Sequence, residues 1–205
     1  MNLFKIDSPV FNGLSRIFDI MFLNILWMLC SIPRITIGAS TTALYYCMLK
    51  INRESDTGIA KMFFKSFRQN FKQGCILTII FAASGLILYI DFQACALMEG
   101  IFGRIIKIFI LVLLIVWGII VSYAFPLLAQ FENSIVHVLK NSLLLSIMNI
   151  GKTIPVILIN AIPVVLFWGL PYVFIVSIPI FLTFGIALMV FVDSKILLKV
   201  FDKYM

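Results

Sequence analysis

The chain alternates long apolar stretches with short polar ones, and the apolar stretches are of membrane-crossing length. A bilayer core of ~30 Å takes about 20 predominantly apolar residues in a helix. On that measure the pattern predicts spans over residues 14–33, 36–51, 74–91, 105–129, 153–170 and 172–192. Pro33 closes the first span, because proline removes a backbone donor and clashes with the preceding turn. The second, Thr36 to Ile51, is the shortest and is rich in small residues. Gly169-Leu170-Pro171 separates the last two with helix-stop and helix-start chemistry together. The predicted fold class is all-α. It is a single polytopic transmembrane helical bundle of about six spans over residues 1–205, with interfacial amphipathic helices on its cytoplasmic side.

The first of those amphipathic helices is predicted over residues 59–72. At 100° per residue Lys61, Lys65, Arg68 and Lys72 fall within about 60° of arc. Ile59, Phe63, Phe64, Phe67 and Phe71 fill about 140° on the other side. Bases on one face and aromatics on the other describe a helix lying in the membrane interface, where anionic headgroups attract each base by ~1 kcal/mol. The same basic row suits a cytoplasmic partner, such as the nucleotide-hydrolysing subunit of a transporter. Residues 131–143 repeat the pattern more weakly, with Asn133, Ser134, His137, Lys140 and Asn141 opposite Phe131, Ile135, Leu139 and Leu143.

Composition agrees with the pattern and excludes other classes. Of 205 residues 62% are hydrophobic and 12% charged, and the mean hydropathy is +1.12. A soluble domain this size would leave too much of that apolar surface in water. The net charge of +7 does not point to nucleic acid, because the bases cluster at the ends of the apolar stretches. With six spans and both termini inside, only Arg34, Arg104 and Lys107 of the 16 Lys and Arg fall outside, leaving 13 (16 − 3) in the cytoplasm, Lys5 among them. If residues 36–51 dip in and return, the spans number five and one terminus moves outside.

Catalytic chemistry finds little support. His137 is the sole histidine, and no nucleophile elbow, phosphate-binding loop, dinucleotide fingerprint or zinc motif occurs. The four cysteines (Cys30, Cys47, Cys75, Cys95) have no metal-ligand spacing and read as small apolar residues. No enzyme activity, cofactor or metal is expected. Arg16 and Asp19 read as a pair near the cytoplasmic end of the first span. Gly38-Ala39-Ser40-Thr41-Thr42-Ala43 offers either close helix packing or a polar lining, through Ser40, Thr41 and Thr42, for a hydroxyl-rich ligand. Prolines recur at 155, 163, 171 and 179. Pro155 and Pro171 fit helix starts, whereas Pro163 and Pro179 fall mid-span and free backbone carbonyls, with Asn160 the expected partner for one.

Leu23-Asn24-Ile25-Leu26-Trp27, Pro33, the run Thr36-Ile37-Gly38-Ala39-Ser40-Thr41-Thr42-Ala43-Leu44-Tyr45 and Phe64-Lys65-Ser66-Phe67-Arg68-Gln69-Asn70-Phe71-Lys72-Gln73 resemble the YesL-like family of bacterial integral membrane proteins. The likeness is close over the first 75 residues, and the hydropathy pattern extends it. The resemblance implies a membrane protein of unassigned function, often encoded beside carbohydrate ABC transporter components, with no catalytic signature to transfer. The expected function is a non-catalytic accessory or regulatory component of carbohydrate ABC transport in the cell membrane. Its expected partners are ABC transporter subunits and anionic lipid headgroups, with homo-oligomers open and nucleic acid excluded. The alternative is an autonomous small-molecule transporter or channel, with a pathway beside residues 38–43, Asn160, Pro163 and Pro179.

Overall fold

The computed structural model describes residues 9–53, 58–98 and 100–204. Lys5 lies outside them. Among the described residues all regular structure is helical. Helix α1 (Pro9–Cys30) leads through a 3-10 turn, Arg34–Thr36, into α2 (Ile37–Asn52). Then come α3 (Ile59–Gln69), α4 (Phe71–Ala96), α5 (Gly100–Gln130), α6 (Ile135–Met148) and α7 (Ile150–Gly169). The chain ends in α8 (Pro171–Ile180), a π-helical turn over Phe181–Gly185, and α9 (Ile186–Phe201).

Five helical stretches are long and apolar enough to cross a membrane: Gly13–Cys30, Phe71–Cys95, Gly100–Gln130, Ile150–Gly169 and Tyr172–Phe201. They correspond to five of the six expected spans, and the protein is a multi-pass helical membrane protein. The expected second span differs. Helix α2 has 16 residues, which at ~1.5 Å per residue is about 24 Å, short of a ~30 Å hydrocarbon core. It needs no lipid-matched length because protein encloses it: α1, α3, α4, α5 and α9 all pack against it. Ala39, Ser40, Ala43, Leu44, Cys47 and Met48 are fully buried.

The backbones of α2 and α4 touch where both helices begin. A Cβ on Gly38 would strike the Gly74 carbonyl oxygen and the Thr78 hydroxyl. Thr78 uses that hydroxyl twice, accepting from the Gly38 N–H at 2.9 Å and donating to the Gly74 carbonyl at 2.8 Å. The Gly38 N–H belongs to the first turn of α2, where no intrahelical acceptor exists, so Thr78 answers an orphan donor. Since α2 starts beside the start of α4, the chain from Asn52 to Gly74 must come back along it, and α3 does so, packed against α2. The pair α2–α3 is thus an out-and-back excursion.

This corrects the expectation for residues 59–72 in two ways. The helix ends at Gln69; Asn70 breaks it, folding its side-chain amide back to the Ser66 carbonyl at 3.1 Å, and Lys72 falls on the first turn of α4. The aromatic face is also turned to protein more than to lipid. Phe63 is fully buried, and Phe67, half-buried, stacks on it with ring centroids 6.3 Å apart, while Phe64 and Phe71 stay exposed. In α6 the buried stripe is Val138, Ser142, Leu145 and Ser146, with Ile135, Leu139 and Leu143 at its edge. Pro155 proves to lie inside α7, one turn after its start at Ile150, whereas Pro171 does open α8.

Beyond this packed body, the outer parts of α4 and α5 and of α7 and α8 face outward with apolar side chains such as Ile87, Phe109, Leu158 and Val176. Trp117 of α5 covers Gly85 and donates its indole N–H to Ser84 of α4 at 2.9 Å. A second indole bond, from Trp27 of α1 to the Thr41 hydroxyl at 3.1 Å, ties α1 to α2. Trp27→Phe keeps the ring area but strands that hydroxyl. It is expected to cost about 1 kcal/mol, read as a small drop in the unfolding midpoint in detergent.

Candidate functional site at a buried carboxylate

Apolar residues continue past position 192 as Ile196, Leu197, Leu198, Val200 and Phe201, and α9 carries them as one helix. Asp193 therefore lies within the last helix and not beyond its end. Its side chain and that of Ser194 are fully buried. Successive helical residues point about 100° apart, so the two meet different neighbours. Asp193 Oδ2 accepts the Tyr45 hydroxyl of α2 at 3.2 Å and the Asn160 amide of α7 at 2.8 Å. The Ser194 hydroxyl accepts from Asn52 of α2 at 2.6 Å.

An ionisable group in the interior of a membrane protein is costly to desolvate and marks functional sites more often than other positions do. Here one carboxylate oxygen carries two donors, and hydrogen bonds to a charged acceptor are the stronger kind. The other oxygen, Oδ1, is buried with no hydrogen-bond partner.

Further polar contacts surround this one. Tyr123 of α5 meets the Thr153 hydroxyl at 2.8 Å, and Thr153 donates to the Ser146 carbonyl at 2.7 Å. Asn149 reaches the Tyr204 hydroxyl at 3.3 Å, and Lys152 Nζ donates to the Lys199 carbonyl at 2.7 Å. Arg53 pairs with Asp202 at 2.8 Å. The second half of α9 is thereby fastened to α2 and α7 through polar atoms.

Among the described residues, one side chain supplies the hydrogen bonds that tie the first half of the last span to another helix. Asn24 of α1, fully buried, donates to the carbonyls of Phe181 and Leu182 at 3.1 and 2.8 Å and accepts the Ala187 N–H at 3.0 Å. Those three backbone groups belong to the π-helical turn and its exit, where the ordinary ladder is interrupted. An asparagine amide supplies both donor and acceptor, so it can stand in for the missing rungs.

The other residues singled out from the sequence divide into those brought together and those held apart. Lys61, Lys65, Arg68 and Lys72 are all exposed, and none joins an ion pair among the described residues. The Ser40 and Thr42 hydroxyls bond back to the Thr36 and Gly38 carbonyls one turn earlier, and Thr41 serves Trp27. Asn160 bonds Asp193 and the Val156 carbonyl, not the Ile159 carbonyl that Pro163 frees. Helix α7 runs through Pro163 uninterrupted, while Pro179 is exposed two residues before the π-helical turn. His137 is exposed. Asp193, Tyr45 and the latching role of Asn24 were not foreseen; the apolar run continuing beyond Asp193 was the available signal for the first.

Residues 20–92 match the family described as "Protein of unknown function, DUF624". That segment holds Asn24, all of α2, and the Gly38–Gly74 contact. The chain is also 27% identical over 142 residues to "Uncharacterized protein YesL" of Bacillus subtilis (strain 168), a stretch covering 65% of this chain and 66% of that one. No solved structure matches. The DUF624 match falls on the buried α2 and its supports, and the likeness to YesL extends beyond that segment, so the chain is similar to YesL over about two thirds of its length.

Proposed function

We propose that the protein is a non-catalytic accessory or regulatory component of carbohydrate ABC transport in a bacterial cell membrane, with α3 as its docking ridge on the cytoplasmic side. The observation that supports this reading is the way α3 is held. Phe63 sits in the protein core, so the helix is anchored without help from its basic side. Lys61, Lys65, Arg68 and the neighbouring Lys72 are left pointing outward. A row of bases on a rigid support recognises an acidic partner surface by complementary charge. The genomic company implied by the family resemblance supplies the partner's class. A pathway along residues 38–43 has less in its favour, because those hydroxyls are bonded within the helix or to Trp27.

Affinity purification from native membranes in mild detergent tests the proposal. ABC permease or ATPase subunits are expected in stoichiometric amounts. Exposed ion pairs contribute ~0.2–1 kcal/mol each, so reversing all four bases to Glu is expected to lower recovery about tenfold or more while the particle stays monodisperse. Unchanged recovery would remove α3 as the docking surface, and a clean particle without partners would favour an autonomous carrier.

A further inference from the structure

We propose that Asp193 is a proton-binding site, its free oxygen Oδ1 taking a proton from water and releasing it again. The reading is independent of the docking ridge. Its geometric basis is the asymmetry of the carboxylate: both hydrogen bonds, from Tyr45 and Asn160, converge on Oδ2, and Oδ1 is buried without one. On uptake an O–H bond forms at Oδ1, hydronium becomes water, and the side chain goes from −1 to neutral; release is the reverse. A bare buried carboxylate oxygen can be satisfied by a proton, a metal ion or a water molecule. A metal ion is the poorer fit. It needs several further oxygen ligands, and the groups nearest this carboxylate present an O–H and an N–H to it. Among the described residues no three His, Cys, Asp or Glu side chains lie together as a metal would require.

The surrounding charges leave Asp193 free to be the group that titrates. From α2, Tyr45 reaches it directly, and Arg53 is engaged by Asp202 while Lys50 lies against the Tyr46 ring. From α7, Asn160 is neutral and Lys152 is bonded to the Lys199 carbonyl. On α5, the Tyr123 hydroxyl is bonded to Thr153. On α1, Asn24 serves the backbone of the π-helical turn, and Arg16 and Asp19 lie more than a turn away from it along the helix. On α9 itself, Lys195 sits over the Phe191 ring and Lys199 is exposed. Among the described residues no cation pairs with this carboxylate, so its charge follows the protons available to it. Uptake or loss there changes the bonds that join α9 to α2 and α7.

Infrared difference spectroscopy of the full-length protein in lipid nanodiscs, titrated with acid, tests this. The expected result is a protonated-carboxyl C=O band that grows on acidification, shifts in heavy water, is lost in Asp193→Asn and remains in Asp202→Asn. Absence of the band in the wild type over the range where the protein stays folded would overturn the proposal, as would its persistence in Asp193→Asn. Should Asp193→Asn fail to fold, Tyr45→Phe decides. It removes one donor to the ionised form, so the band must survive to higher pH than in the wild type, and an unmoved midpoint overturns the assignment.

Discussion

Gly38→Val leaves little or no folded protein in detergent extracts. The first added carbon meets the Gly74 carbonyl, the Thr78 hydroxyl and, at 2.8 Å, a ring carbon of Phe125. One of these is backbone, and Gly74 is hemmed in reciprocally, a Cβ there coming within 2.6 Å of Ala39 N and 2.7 Å of Ala39 Cα. Neither side can yield by turning a flexible side chain, so the helices must part. Ordinary overpacking of a core costs ~1–3 kcal/mol; separating two helices at a backbone contact also breaks the Thr78 bonds and exceeds that range. Against a total stability of ~5–15 kcal/mol, the monodisperse peak in size-exclusion chromatography is expected to fall severalfold. Gly118→Ala is the control, since a Cβ there meets nothing within 4 Å. It is expected to leave the peak unchanged. A normal peak for Gly38→Val would mean that α2 and α4 are not in backbone contact.

Asn24→Leu is expected to cost about 3 kcal/mol. Leucine is close in size, so the loss is almost wholly polar: two carbonyls and one N–H in a buried setting lose their partner. A buried group left unpaired costs ~1–3 kcal/mol, but hydrogen bonds between membrane helices average only ~0.6, and the turn can relax partway to ordinary α-helix. The total therefore falls well below three full penalties. Unfolding by SDS titration, followed by tryptophan fluorescence, measures it. A loss under ~1 kcal/mol would show that the π-helical turn holds itself without α1.

The long crossing helices were legible because their cause is local. Apolar runs of sufficient length, Pro33 before α2 and Pro171 at the start of α8 are all visible in the linear order. The helical periodicity of Lys61, Lys65 and Arg68 was legible for the same reason, since it is a property of neighbours in sequence, whereas the break at Asn70 that puts Lys72 on the next helix was not. What lay beyond reading was which surface faces which. The aromatic side of α3 reads equally as a face for lipid or for protein, and only the return of α3 along α2 decides for Phe63. Asp193 reads as the end of a span when taken with Lys195 and Lys199. Its burial depends on Tyr45, 148 residues earlier in the chain, and on Asn160. Asn24 looks like an isolated polar residue in an apolar helix until the carbonyls it serves, 157 and 158 residues later, come beside it.

The enclosure of α2 has a consequence for how the protein is made. A short helix rich in Gly, Ala, Ser and Thr partitions poorly into lipid by itself, and its burial partners in α5 and α9 are synthesised after it. While the ribosome is still working through the middle of the chain, α2 has only α1, α3 and the start of α4 to lean on. Its side toward α9 stays uncovered until α9 itself is made. Nascent chains halted before residue 186 should accordingly be held by membrane quality-control proteases as unfinished, and α2 should gain protection from labelling only when α9 arrives.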